Sequence, residues 1–155
     1  MDTIRRTAAV GLVAALALFA AAVPAGADQS YHSAHIALAP VEGAPLRTGF
    51  VENTHSNGPV RYAHELYILN GAEPDTDYQV TISLWAGNLT CSGAPDLVLD
   101  TAAFTTNGAG NAVGQHIFAP SDAGGLRGAT VSAMWAVSSG GTVEYVTGCE
   151  LINLD

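Results

Sequence analysis

Lysine is missing from all 155 residues, and arginine appears only at positions 5, 6, 47, 61 and 127. Against those five bases stand 14 carboxylates, for a formal net charge of −9. Such a chain repels phosphate backbones and anionic lipid surfaces instead of neutralising them, which excludes nucleic acid and membrane surfaces as partners. The chemistry-bearing motifs are equally sparse. No G-x-S-x-G elbow offers a nucleophile, no C-x-x-C pair offers redox or zinc chemistry, and no EF-hand spacing offers a calcium loop. The glycine-rich Asn107–Asn111 is not followed by a helix, and no lysine exists to reach a phosphate, so it reads as a hairpin turn.

What is present begins with an address. Arg5 and Arg6 precede an apolar run from Thr7 to Val23, Pro24 breaks any helix, and Ala25-Gly26-Ala27 is a small-x-small exit. This is the pattern of a signal peptide over residues 1–27, cleaved between Ala27 and Asp28, leaving a single domain over 28–155 and a secreted location. That domain keeps 13 carboxylates and three arginines. Its length suffices for a self-contained core. In an exported chain, Cys91 and Cys149 read as one disulfide, contributing about 4 kcal/mol in the chain-entropy picture. The lack of lysine with abundant alanine and glycine points to a GC-rich genome, such as an actinobacterium's. Asn88-Leu89-Thr90 matches a glycosylation sequon and is read as chance.

After the leader, turn residues recur every 8–15 positions, with β-branched and aromatic residues between them. Eight strands are expected, over His35–Ala39, Arg47–Val51, Ala63–Leu69, Tyr78–Ala86, Asp100–Thr105, Ala112–Phe118, Val131–Ser138 and Val143–Leu151. The clearest, Tyr78–Ala86, alternates Tyr78, Val80, Ile82 and Leu84 with Gln79, Thr81, Ser83 and Trp85. The expected fold is all-β, an immunoglobulin-like sandwich of two sheets with seven or eight mostly antiparallel strands.

The acidic stretch Ala72–Val80 reads as an architectural corner. Pro74 presets a turn, Asp75 and Thr76 can bond their local backbone, and Glu73, Asp75 and Asp77 are expected to be solvated. The P-x-T-x-Y-x-V run resembles the tyrosine corner of immunoglobulin-like and fibronectin-III-like domains. That resemblance makes Pro74, Thr76 and Tyr78 the corner, with the Tyr78 hydroxyl on upstream backbone. Four strand candidates follow Tyr78, so the strand order departs from fibronectin-III. In Ala72–Val80, Cys91 and Thr106–Ala112 the chain is loosely similar to the neocarzinostatin-type apoproteins, small acidic exported carriers. Those domains usually hold two disulfides and this chain can form one, so no ligand cleft is carried over.

Two further leads are the histidines and Trp85. His32, His35, His55, His64 and His116, with Glu52 and Glu65 nearby, are residue types that suit copper or zinc. On a strand, however, residues three apart face opposite ways, so His32 and His35 diverge and no metal site is assigned. Trp85 falls on the polar side of its strand and is a candidate exposed anchor for a sugar or a protein, unless that second face is also covered. The expectation is a monomeric, non-catalytic, secreted binding or structural domain. It needs no cofactor, and its partner is an unidentified extracellular protein, glycan or small molecule. A small-molecule or copper/zinc carrier is the alternative, a secreted hydrolase the third reading, and a protease inhibitor the fourth.

Overall fold

The computed structural model describes residues 32–55 and 63–154. The leader and the cleavage point at Ala27 and Asp28 lie outside the described residues. Among the described residues nine strands form: β1 His32–Pro40, β2 Thr48–His55, β3 Ala63–Asn70, β4 Asp77–Trp85, β5 Leu97–Thr105, β6 Ala112–Phe118, β7 Thr130–Ser139, β8 Thr142–Thr147 and β9 Glu150–Asn153. All pairings are antiparallel. The expected last strand is therefore two, because Gly148 and Cys149 interrupt it between β8 and β9.

The strand order is β5-β4-β7-β8-β1-β2-β3-β6, with β9 added to β7. β1 belongs to both layers. Its first half, His32–Ala37, pairs with β2, and Leu38–Pro40 pairs with β8. The result is a nearly closed, barrel-like sandwich. One layer is β1-β2-β3-β6 and the other is β5-β4-β7 with β8 and β9.

Alternation sorts the side chains. Ile36, Val51, Tyr67 and Leu69 from the first layer meet Tyr78, Val80, Ile82, Leu84, Val131, Ala133, Trp135 and Val137 from the second. Trp135, Tyr67, Leu69, Val80, Val131 and Val137 lose all contact with water. Each such side chain contributes on the order of 1.5–3 kcal/mol of transfer free energy. Two bulges adjust the register. Thr101 is the extra residue on β5 opposite Val80 and Thr81, and Glu144 is the extra residue on β8 opposite Val137 and Ser138.

The Asn107–Asn111 hairpin turn folds onto the β3–β4 turn and closes one end. The Asn107 side chain accepts from the Ala109 and Asn111 amides at 2.9 and 3.0 Å. The Ala72 amide donates to the Gly110 carbonyl at 3.0 Å, and Thr106 donates its hydroxyl to the Glu73 carbonyl at 2.6 Å. Gly110 has φ +71, and a Cβ there would sit 2.0 Å from the Ala72 oxygen, so only glycine fits. Glu73, Asp75 and Asp77 are exposed on this corner.

Candidate binding face

The tyrosine corner differs from its expectation. The Tyr78 hydroxyl donates to Glu144 at 2.9 Å and lies 3.1 Å from the Tyr145 hydroxyl; it does not reach upstream backbone. The bulge at Glu144 brings that carboxylate to it. Tyr145 takes the upstream contact instead, donating to the Pro45 carbonyl at 2.9 Å. Burial, the Tyr145 hydroxyl and the Glu144 carboxylate all push the Tyr78 phenol well above its ordinary pKa, so it remains a donor. Thr76 stays local, bonding the Pro74 carbonyl at 2.8 Å.

Trp85 is not an exposed anchor. It is 4% exposed, and its indole N–H donates to the Gly93 carbonyl at 3.2 Å. Alternation does turn it outward, away from the main core, but the segment between β4 and β5 folds back over that face. The Cys91–Cys149 disulfide holds the segment there, with its Cα atoms 5.6 Å apart. Ser132, fully buried on β7, donates to the Asn88 carbonyl beneath the same cover. Asn88 also accepts from the Thr90 amide at 2.8 Å, so its side chain shapes the loop.

The histidines divide between faces. On the outer face of the first layer, His35 Nδ1 lies 3.0 Å from Glu52, and His64 Nε2 lies 3.4 Å from Gln115 Oε1. His116 has the opposite parity, and its ring meets Phe118 edge-on at 4.5 Å. His32 and His55 are cross-strand partners by backbone register. Among the described residues no three histidine, cysteine or acidic side chains gather as a metal cluster. Glu52 is held below the usual carboxylate range by the Ser33 hydroxyl, 2.5 Å away, and then by His35.

Glu65 is the larger surprise, because it is fully buried between the layers. Asn53 donates to one of its oxygens at 2.6 Å, while Tyr67 and the Trp135 indole donate to the other at 2.5 and 2.8 Å. Loss of water raises its pKa, and the three donors offset that only in part. Parity carried the signal. Asn53 shares its strand face with Val51, and Glu65 shares its face with Tyr67 and Leu69, so both polar residues fall on core-facing positions.

The outer face of the first layer is a grid of three rows across β1, β2, β3 and β6. Ala37, Phe50, Ile68 and Val113 are consecutive register partners. His35, Glu52, Leu66 and Gln115 form the next row, and Ser33, Thr54, His64 and Ile117 the third. Val113 and Ile117 are 67% and 62% exposed. Phe50, Leu66 and Ile68 are half-buried and do not join the core, and the His35 ring lies over Phe50 with centroids 4.1 Å apart. Glu52 is the only carboxylate in the grid, and His35 and Ser33 engage it.

No family model matches the chain, and neither the curated proteins nor the solved structures return a match.

Proposed function

We propose that the chain is an exported, disulfide-stapled binding domain that engages an extracellular protein through the outer face of β1-β2-β3-β6. The observation that carries this reading is the contiguous row Ala37-Phe50-Ile68-Val113, with Leu66 in the adjacent row and no described element packed over it. A contiguous apolar face rimmed by polar groups is characteristic of protein contact. Export rests on the leader pattern and accords with the disulfide. A protein is favoured over a glycan because sugars are gripped by exposed rings. Among the described residues both tryptophans and the three tyrosines Tyr67, Tyr78 and Tyr145 are buried, which leaves only the Phe50, His35 and His64 rings on this face. A carrier is less favoured because Asn53, Glu65, Tyr67 and Trp135 fill the space between the layers with mutual hydrogen bonds.

The test immobilises the mature chain and compares proteins retained from its own culture medium by the wild type, Ile68→Asp and Asp100→Asn. Asp100 lies on the outer side of β5, in the other layer. A protein held by the wild type and Asp100→Asn but lost from Ile68→Asp supports the reading. Equal retention by all three, or a small molecule or metal seen only in the native mass spectrum, overturns it.

A further inference from the structure

In an Asn-Gly pair the glycine nitrogen can attack the asparagine side chain, because glycine has no Cβ to block the approach. The chain holds three such pairs, at 57–58, 70–71 and 107–108, and the first lies outside the described residues. The other two sit at the same closed end of the sandwich in opposite states. At Asn70-Gly71 the nucleophile is engaged. The Gly71 amide donates to Asn111 Oδ1 at 3.1 Å, and the Asn70 side-chain amide donates to the Thr48 hydroxyl at 3.3 Å. At Asn107-Gly108 the electrophile is engaged instead. Asn107 Oδ1 accepts from the Ala109 and Asn111 amides at 2.9 and 3.0 Å, and the Asn107 main-chain carbonyl accepts from the Gly110 amide at 2.8 Å. Among the described residues no acceptor takes the Gly108 amide. The Asp75 carboxylate lies beside Gly108, 3.8 and 3.9 Å from where a Cβ would stand, and the Asp75 amide donates to the Asn107 carbonyl at 3.3 Å.

We propose that Asn107 is a self-modification site, at which Gly108 converts the side-chain amide to a succinimide that water opens to aspartate and isoaspartate. The Gly108 nitrogen bonds to Asn107 Cγ, and the Asp75 carboxylate takes its proton. Negative charge collects on Oδ1, where two main-chain N–H groups already point, which is the arrangement of an oxyanion hole. The Cγ–Nδ2 bond then breaks, Nδ2 receives the proton held by Asp75, and ammonia leaves. Water opens the ring at either carbonyl. Attack at Cγ gives aspartate. Attack at the main-chain carbonyl gives isoaspartate, in which the chain runs through Cβ and Cγ and is one carbon longer. The consequence falls on the turn that closes this end of the sandwich. Gly110 packs so closely on Ala72 that only glycine fits, and Ala72 donates to its carbonyl at 3.0 Å. A longer chain between 107 and 108 does not keep that contact together with the Asn107–Asn111 bonds, and the new carboxylate stands beside Asp75. The closed end therefore loosens as the protein ages. This site is independent of the binding face.

The test incubates the mature chain at mildly alkaline pH, folded and in urea. Tandem mass spectrometry of its peptides then reads the exchange of –NH2 for –OH at each asparagine. Asn107 should convert at least as fast folded as unfolded, and about tenfold or more faster than Asn70 in the folded chain. Asp75→Asn should slow Asn107 by about tenfold or more in the folded chain and leave it unchanged in urea, where position 75 no longer lies beside 108. Asparagine tolerates the φ of +48 at position 75, so this variant keeps the turn. Gly108→Ala places a Cβ with nothing closer than 3.8 Å, so it also folds, and it should slow conversion in both states. The modified fraction, separated by anion exchange on its added charge, should show faster hydrogen exchange at the Ala72 amide. Slower conversion of Asn107 in the folded chain than in urea overturns the inference, because the turn then protects its asparagine. So does equal conversion of Asn70 and Asn107 in the folded chain, or an Asp75→Asn variant that converts at the wild-type rate. Unchanged exchange at Ala72 overturns the loosening.

Discussion

The outward faces of the two layers are built from the same alternation and end up in opposite states. Trp85 and Ser132 point out of the second layer and are buried, because the loop between β4 and β5 is folded over them and fastened to Cys149. Val113, Ile117, Ile68 and Phe50 point out of the first layer, and no described element covers them. Parity along a strand decides only which side of a sheet a residue occupies. Whether that side meets water depends on where the remaining chain goes. Here the one covalent crosslink is used on the face that is closed, which leaves the other as the surface available to a partner.

The comparison breaks first at the disulfide. Replacing Cys91 and Cys149 by serine should cost about 4 kcal/mol of stability, read from urea unfolding, because the crosslink spans 58 positions. It should also expose Trp85 to acrylamide quenching while Trp135 stays shielded. Loss of stability with no gain in quenching would mean the loop covers its face without the clamp. Trp85→Ala should cost about 3 kcal/mol, the range for a large buried side chain, although its strand position is an outward one.

That reversal at Trp85 marks the limit of what the sequence discloses. Turn spacing and the period-two runs located seven of the eight expected strands, with β6 correct to the residue, because a half-buried strand advertises itself locally; the eighth, Val143–Leu151, is split into β8 and β9. The disulfide was legible from the count of cysteines. The cover over Trp85 was not, since it depends on a loop of ordinary composition held at a distant point. The identity of the corner tyrosine was hidden for a related reason. Tyr78 and Tyr145 both lie in alternating runs, and which hydroxyl meets Glu144 and which meets the Pro45 carbonyl depends on contacts that exist only once the layers close. Glu65 could have been found, since it sits at core parity between Ala63 and Tyr67. Its acceptability depends on Asn53 and Trp135, which are adjacent only after the layers close.

Glu65 extends the contrast to the interior. Glu65→Leu would leave the Asn53, Tyr67 and Trp135 donors without an acceptor and should cost at least about 2 kcal/mol. Glu65→Gln can satisfy all three if Asn53 turns its amide, so its cost should be small. Because burial raises the Glu65 pKa above its unfolded value, the protonated form contributes stability in full below the unfolded pKa, about 4.3. That contribution is lost as pH rises through the folded value. Wild-type stability measured against Glu65→Gln should therefore fall as pH is raised from 4 to 8, and a flat difference would refute the raised pKa.

The smallest effect is the most informative about the exposed face. Val113→Ser removes an aliphatic side chain from an outward position, as Trp85→Ala does, but from the face that nothing covers. Surface changes of this kind move stability by no more than about 0.5 kcal/mol. The unfolding midpoint of the isolated chain at low concentration should hardly shift, even though the position completes an apolar row. A loss of 2 kcal/mol or more would mean that Val113 is packed in solution by a segment outside the described residues, and the face would then resemble the one over Trp85. An unchanged midpoint with weakened capture of a partner would separate the two faces by function, since one set of outward hydrophobes would support the fold and the other would be held for binding.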